Sequence, residues 1–144
     1  MCYRSPFVMQ KGFFYMWKFV DKQIHLITLT WFLVIFTLCA TPGQYIPNFA
    51  WLDLVSFDKF VHAAMFFILT ALNMRLSEKY GWNPLFLVLS AIAYGMLLEL
   101  MQAKLFMNRS ADLNDIIANS LGCVLAYSTR KKYLSAYGLK IKTN

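Results

Sequence analysis

Three short stretches hold most of the polar chemistry in the middle of this chain. Asp58, Lys59 and His62 stand in "DKFVH", Glu99 and Gln102 in "ELMQ", and Arg109, Asp112, Asp115 and Asn119 in "NRSADLNDIIAN". An imidazole one helical turn from a carboxylate can act as general base or nucleophile, with Asp58 orienting the His62 ring. Glu99 suits the partner acid. Arg109 can grip phosphate oxygens through its guanidinium fork, and Lys59 adds a point charge. Gln102 and Asn119 offer amide hydrogen bonds to the same ligand. Asp112 and Asp115 are ligands of the type that holds a hard divalent ion such as Mg²⁺ or Mn²⁺. One histidine with no cysteine close in sequence disfavours zinc.

Helical elements must position these groups. At ~100° per residue, Asp58 and His62 lie about 40° apart on one face. Glu99 and Gln102 lie about 60° apart, and Gly95, one turn earlier, leaves that face open beneath them. Asp112, Asp115 and Asn119 fall within about 60° of one another, with Gly122 close by. Two carboxylates at a helix start also suit capping and the helix dipole, and Asp112 is the member expected to be a plain cap.

The solvent for these helices is lipid. Of 144 residues, 59% are hydrophobic and only 15% charged, against roughly 45–50% apolar in ordinary soluble domains. Apolar runs cover residues 24–41, 60–74, 85–98 and, more weakly, 116–127. A helix needs about 20 residues to cross the hydrocarbon, so the last three runs borrow their polar flanks. The expected fold is all-α: a polytopic bundle of four transmembrane helices preceded by an interfacial helix. Residues 1–23, with "KGFFYMWKFVDK" at 11–22, read as a cytoplasmic amphipathic segment. Residues 24–128 read as the membrane domain and 129–144 as a basic cytoplasmic tail. The basic-then-apolar start resembles a signal peptide but lacks an A-x-A-like cleavage site, so the first helix is expected to be retained.

Charge sets the orientation. Eleven of the 14 Lys and Arg residues precede the first run, lie between the second and third, or follow the fourth. The positive-inside rule then places both termini and the 75–83 turn in the cytoplasm. The three polar stretches fall together at the extracytoplasmic end, where His62, Glu99, Arg109 and Asp115 are expected to line one cavity. The net charge of +7 belongs mainly to the cytoplasmic flanks and points to anionic lipid rather than nucleic acid. Arg75, Glu78 and Lys79 read as solvated turn residues, and His25 as structural. Cys2, Cys39 and Cys123 show neither metal nor disulfide spacing.

"DKFVHAAMFFIL" followed by "ELMQAKLFMNRSADLNDIIANSLG" resembles the VanZ-like family of membrane proteins over roughly residues 24–128. In that pattern Asp-Lys-x-x-His opens one span, Glu-x-x-Gln closes the next, and Arg, Asp, Asp, Asn and Gly lead into the last. Ala126 stands where many members carry a second glycine. The resemblance implies a bacterial plasma-membrane protein of the cell envelope. Its family is named for a teicoplanin-resistance protein, and it is more remotely similar to helical membrane enzymes proposed to act on lipid head groups.

Two roles fit these residues. One is the processing or transfer of phosphate-containing lipid head groups in the outward pocket. The other is a non-catalytic module that binds a head group, a glycopeptide or a partner protein. A through-path for ions is disfavoured, because "FFILTAL", "PLFLVLSAIA" and "CVLAY" place almost no polar groups at inner depths.

Overall fold

A computed structural model describes residues 6–41, 57–105 and 112–136. Four helices form there: α1 (Pro6–Ala40), α2 (Phe57–Tyr80), α3 (Pro84–Leu105) and α4 (Leu113–Ala136), with no strand among the described residues. Val20–Ala40, the whole of α2 and Pro84–Lys104 are long and apolar enough to cross a membrane. In α4 the 24 residues would span about 36 Å at 1.5 Å per residue. Its polar inner face and basic end lower its hydropathy below that of the other three.

The amphipathic segment and the first span lie on one helix. Pro6–Ala40 is one uninterrupted helix, about 50 Å long and well beyond the ~30 Å hydrocarbon core. No proline or glycine punctuates the step from "WKFVDK" into "IHLITL", so intrahelical hydrogen bonding carries through it. The boundaries drawn at 23/24 and 128/129 both fall inside helices.

Packing follows the apolar patterning inverted for lipid. Large side chains face outward: Leu26, Leu29, Leu33 and Leu38 on α1, Phe86, Leu89, Leu97 and Leu100 on α3, and Leu113, Ile117, Leu121, Val124 and Leu125 on α4. The interior holds Ile35, Phe66, Leu69, Met74, Val88, Ala91, Leu98 and Cys123. Lipid tails are as apolar as leucine, so burial itself drives helix association weakly, and close packing and interhelical hydrogen bonds matter more.

The tightest approach joins α2 and α4. A Cβ on Gly122 would collide with the carbonyl oxygen of Ala63, and would lie 3.0 Å from both the Ala63 carbonyl carbon and the Phe67 nitrogen. One turn further on, Ala126 is wholly buried. Helices α1 and α4 do not touch each other among the described residues; α2 and α3 lie between them. Between Trp31 and Cys39 three hydrogen bonds fasten α1: Trp31 Nε1 donates to Met65 O at 3.0 Å, Tyr94 Oη to Phe32 O at 3.0 Å and Gln102 Nε2 to Cys39 O at 3.0 Å. Each contributes about 0.6 kcal/mol by the average for membrane helices. On α1 the hydroxyls of Thr28 and Thr37 are satisfied locally, donating to the carbonyls four residues earlier.

At the end opposite the predicted site, α2 closes at Gly81, whose φ of +72° is a left-handed stop. The Asn83 side-chain Oδ1 then caps α3 by accepting the Leu85 N–H at 2.9 Å, with Pro84 at the first helical position. Arg75 and Lys79 are not idle as the sequence suggested, although Lys79 is exposed. Arg75 forms a two-pronged pair with Asp21, with its Nε 2.7 Å from Oδ1, and Lys79 Nζ donates to Asp21 O at 2.6 Å. His25 pairs with the Tyr80 hydroxyl. That end of the bundle is clamped α1 to α2.

Candidate functional site

The start of α2, the end of α3 and the start of α4 meet at one end of the bundle. Lys59 is the hub. Its ammonium lies 2.5 Å from Asp112 Oδ2, pairs closely with Asp115 Oδ1 and stands 3.6 Å from Asp58 Oδ2. Asp112 precedes α4 and caps it: its carbonyl accepts the Asp115 N–H at 3.0 Å, and its Oδ1 accepts the Asn114 N–H at 2.9 Å. The cap expected of Asp112 is thus present, joined to an ion pair. The Lys59 ammonium, with the Asn114 N–H, holds the Asp112 carboxyl below the usual carboxylate range.

His62 sits one turn below Asp58 and is 5% exposed. Its Nδ1 lies 3.2 Å from Asn119 Oδ1. With the amide oxygen as acceptor Nδ1 carries a hydrogen, and in the neutral ring Nε2 then carries the electron pair. That nitrogen faces two carboxylates, with Asp58 Oδ1 at 3.7 Å and Asp115 Oδ2 at 3.9 Å. Both separations exceed a hydrogen bond. Asn119, rather than Asp58, therefore holds the ring. Asp58 is largely exposed, with 62% of its side chain accessible.

Glu99 is 2% exposed, and its Oε1 accepts the Asp112 N–H at 2.7 Å. This bond joins the last turns of α3 to the residue that opens α4. Gln102 is equally buried, but its amide donates to the Cys39 carbonyl on α1. Gly95 does not open a pocket floor. The Phe66 ring fills the space beside it, 3.1 Å from where a Cβ would stand, and Asn119 Cβ lies at 3.3 Å.

The structure thus gathers Asp58, Lys59, His62, Asp112, Asp115 and Asn119, with Glu99 joined through the Asp112 backbone, and turns Gln102 toward α1. Arg109 lies outside the described residues. The facing oxygens of Asp112 and Asp115, read from sequence as ion ligands, hold the Lys59 ammonium. Sequence reasoning passed over Asn114 and Phe66. An Asp-x-Asn at a helix start signals the Asn114 contact, whereas nothing local signals Phe66.

Chemically, the cluster offers a buried imidazole with one nitrogen oriented and the other presented to two carboxylates, beside a strongly paired ammonium. Such a group can accept a proton or donate an electron pair. Neither a curated protein nor a solved structure matches the chain. The VanZ/LLP1 family pattern, in contrast, matches residues 3–131, which takes in α1 to α3, most of α4 and every residue of the cluster. With its long apolar helices, this chain belongs to the VanZ/LLP1 family of membrane proteins.

Proposed function

We propose that the polar end of the bundle faces the extracytoplasmic side of the bacterial plasma membrane and processes or transfers phosphate-containing lipid head groups. In this reading α4 is a fourth crossing helix, as its outward stripe from Leu113 to Leu125 suits, and both termini are cytoplasmic. The observation that carries the proposal is the presentation of His62 Nε2. A buried imidazole, oriented from behind by Asn119, stands at the end of three helices, where head groups lie. Nε2 supplies the electron pair, Glu99 carries the partner proton, and Asp58 at the rim meets the incoming ligand. Lys59 and Arg109 supply positive charge for phosphate oxygens.

A glycopeptide-resistance role, which the family name suggests, would follow from altered envelope lipids. The experiment is comparative lipid analysis of cells producing the wild type and His62→Ala at equal membrane abundance. The expected result is a lipid species whose level changes with the wild type alone. Identical lipid profiles would leave the cluster as a binding module for a head group, glycopeptide or partner protein. That second reading draws support from Lys59, whose charge two aspartates already share.

A further inference from the structure

The cluster has a charge imbalance at its centre. Asp58, Asp112 and Asp115 face one another around a single ammonium, that of Lys59. Glu99 adds a fourth carboxyl, turned away toward the Asp112 backbone. Three aspartates against one ammonium leave two negative charges, and of the three carboxylates Asp115 alone is buried.

The way the oxygens divide is informative. Asp115 gives Oδ1 to Lys59 and turns Oδ2 toward His62 Nε2. Asp58 does the same, with Oδ2 on the Lys59 side and Oδ1 on the His62 side. Lys59 thereby aims the second oxygen of each carboxylate at one point. No hydrogen bond from a described residue reaches Nε2, although His62 is 5% exposed. A nitrogen turned toward two carboxylates in this way calls for a proton or a Lewis acid between them.

We infer that one divalent cation of the Mn²⁺ class binds between His62 Nε2, Asp58 Oδ1 and Asp115 Oδ2. One ligand atom from each of the three residues lies within 4.8 Å of the other two. Ligands on an ion at ~2.1 Å stand at most about 4.2 Å apart, so closure needs only a small movement of the exposed Asp58. One nitrogen with two carboxylate oxygens suits an ion between the hard and borderline classes, and leaves positions for water or phosphate oxygens. Asn119 on Nδ1 and Lys59 on the outer carboxylate oxygens are the supporting contacts that fix the ligands. The site differs from the Asp112–Asp115 pair in using Asp58 and the imidazole. Within the proposed function it makes Nε2 a metal ligand in place of a base or nucleophile, yet its ligands are all protein groups and it stands without any lipid chemistry.

The test is Mn²⁺ binding to the full chain purified in detergent, followed by electron paramagnetic resonance. The wild type is expected to bind one equivalent saturably, with nitrogen hyperfine modulation from the imidazole. His62→Ala should lose that modulation. Asp58→Asn, a change at an exposed side chain that leaves the packing intact, should weaken binding at least about tenfold. Saturable binding without nitrogen modulation in the wild type would overturn the site, as would no binding at about millimolar Mn²⁺. So would loss of binding in Asp112→Asn with none in Asp58→Asn, which would put the ion between Asp112 and Asp115. If Mn²⁺ fails to bind while the lipid change persists, only the metal site falls and His62 acts as base. If Mn²⁺ binds as expected and lipids do not change, only the head-group reading falls.

Discussion

Gly122 rests against the carbonyl of Ala63 with no room for a Cβ between them. Three residues before Gly122 stands Asn119, and one before Ala63 stands His62, so this contact sets the distance at which amide and imidazole meet. Gly122→Ala must push α4 off α2. Overpacking of this kind costs about 1–3 kcal/mol where side chains yield, and a backbone carbonyl yields less. We expect Gly122→Ala to lower both thermal stability in detergent and activity. Gly95→Ala, which meets mainly the Phe66 ring, should cost less on both. Equal tolerance of the two substitutions would show that α4 can shift freely on α2.

His62 separates a working site from a structural polar cluster. His62→Ala and His62→Gln are expected to abolish activity while membrane-inserted protein stays near the wild-type level. Glutamine keeps hydrogen bonding to Asn119 but has no basic nitrogen. Arg109→Lys should be impaired, because lysine keeps the charge and loses the fork. A fully active, normally abundant His62→Gln protein would end the catalytic reading.

Lys59 is expected to matter more for stability than any of its partners singly. Lys59→Met leaves Asp112 and Asp115 facing each other without a cation, whereas Asp112→Asn leaves Lys59 still paired with Asp115. Melting curves in detergent should therefore rank Lys59→Met well below Asp112→Asn. Adding Asp115→Asn to Lys59→Met should recover part of the loss, because it removes the charge left unpaired. A double variant less stable than the Lys59→Met single would show that the ion pairs are not what holds α2 to α4.

Orientation is open to direct labelling. With the native cysteines removed, Gln44→Cys should react with an impermeant thiol reagent on intact cells. The basis is the Lys and Arg asymmetry, which puts the 42–57 segment outside. Reaction only after permeabilisation would turn the cluster to the cytoplasm, and the head-group proposal with it.

Sequence alone determined that this is a helical membrane protein and which nine residues to watch. Helix length and lipid exposure follow from local hydropathy, and residues on one helix keep fixed angles to one another. Asp58 with His62, and Asp115 with Asn119, were therefore legible as shared faces. How one helix is rotated against the next is set by packing at single points such as Gly122 on Ala63, and no local pattern encodes that. Only the tertiary structure decided that Asn119 holds the His62 ring, that Lys59 spans Asp112 and Asp115, and that Gln102 turns to the Cys39 carbonyl. The same holds for Phe66 beneath Gly95 and for the Asp21–Arg75 clamp, whose partners lie far apart in sequence. Composition shifts mark where a helix changes surroundings and not where it ends, which is why α1 runs unbroken through the expected boundary at residue 23.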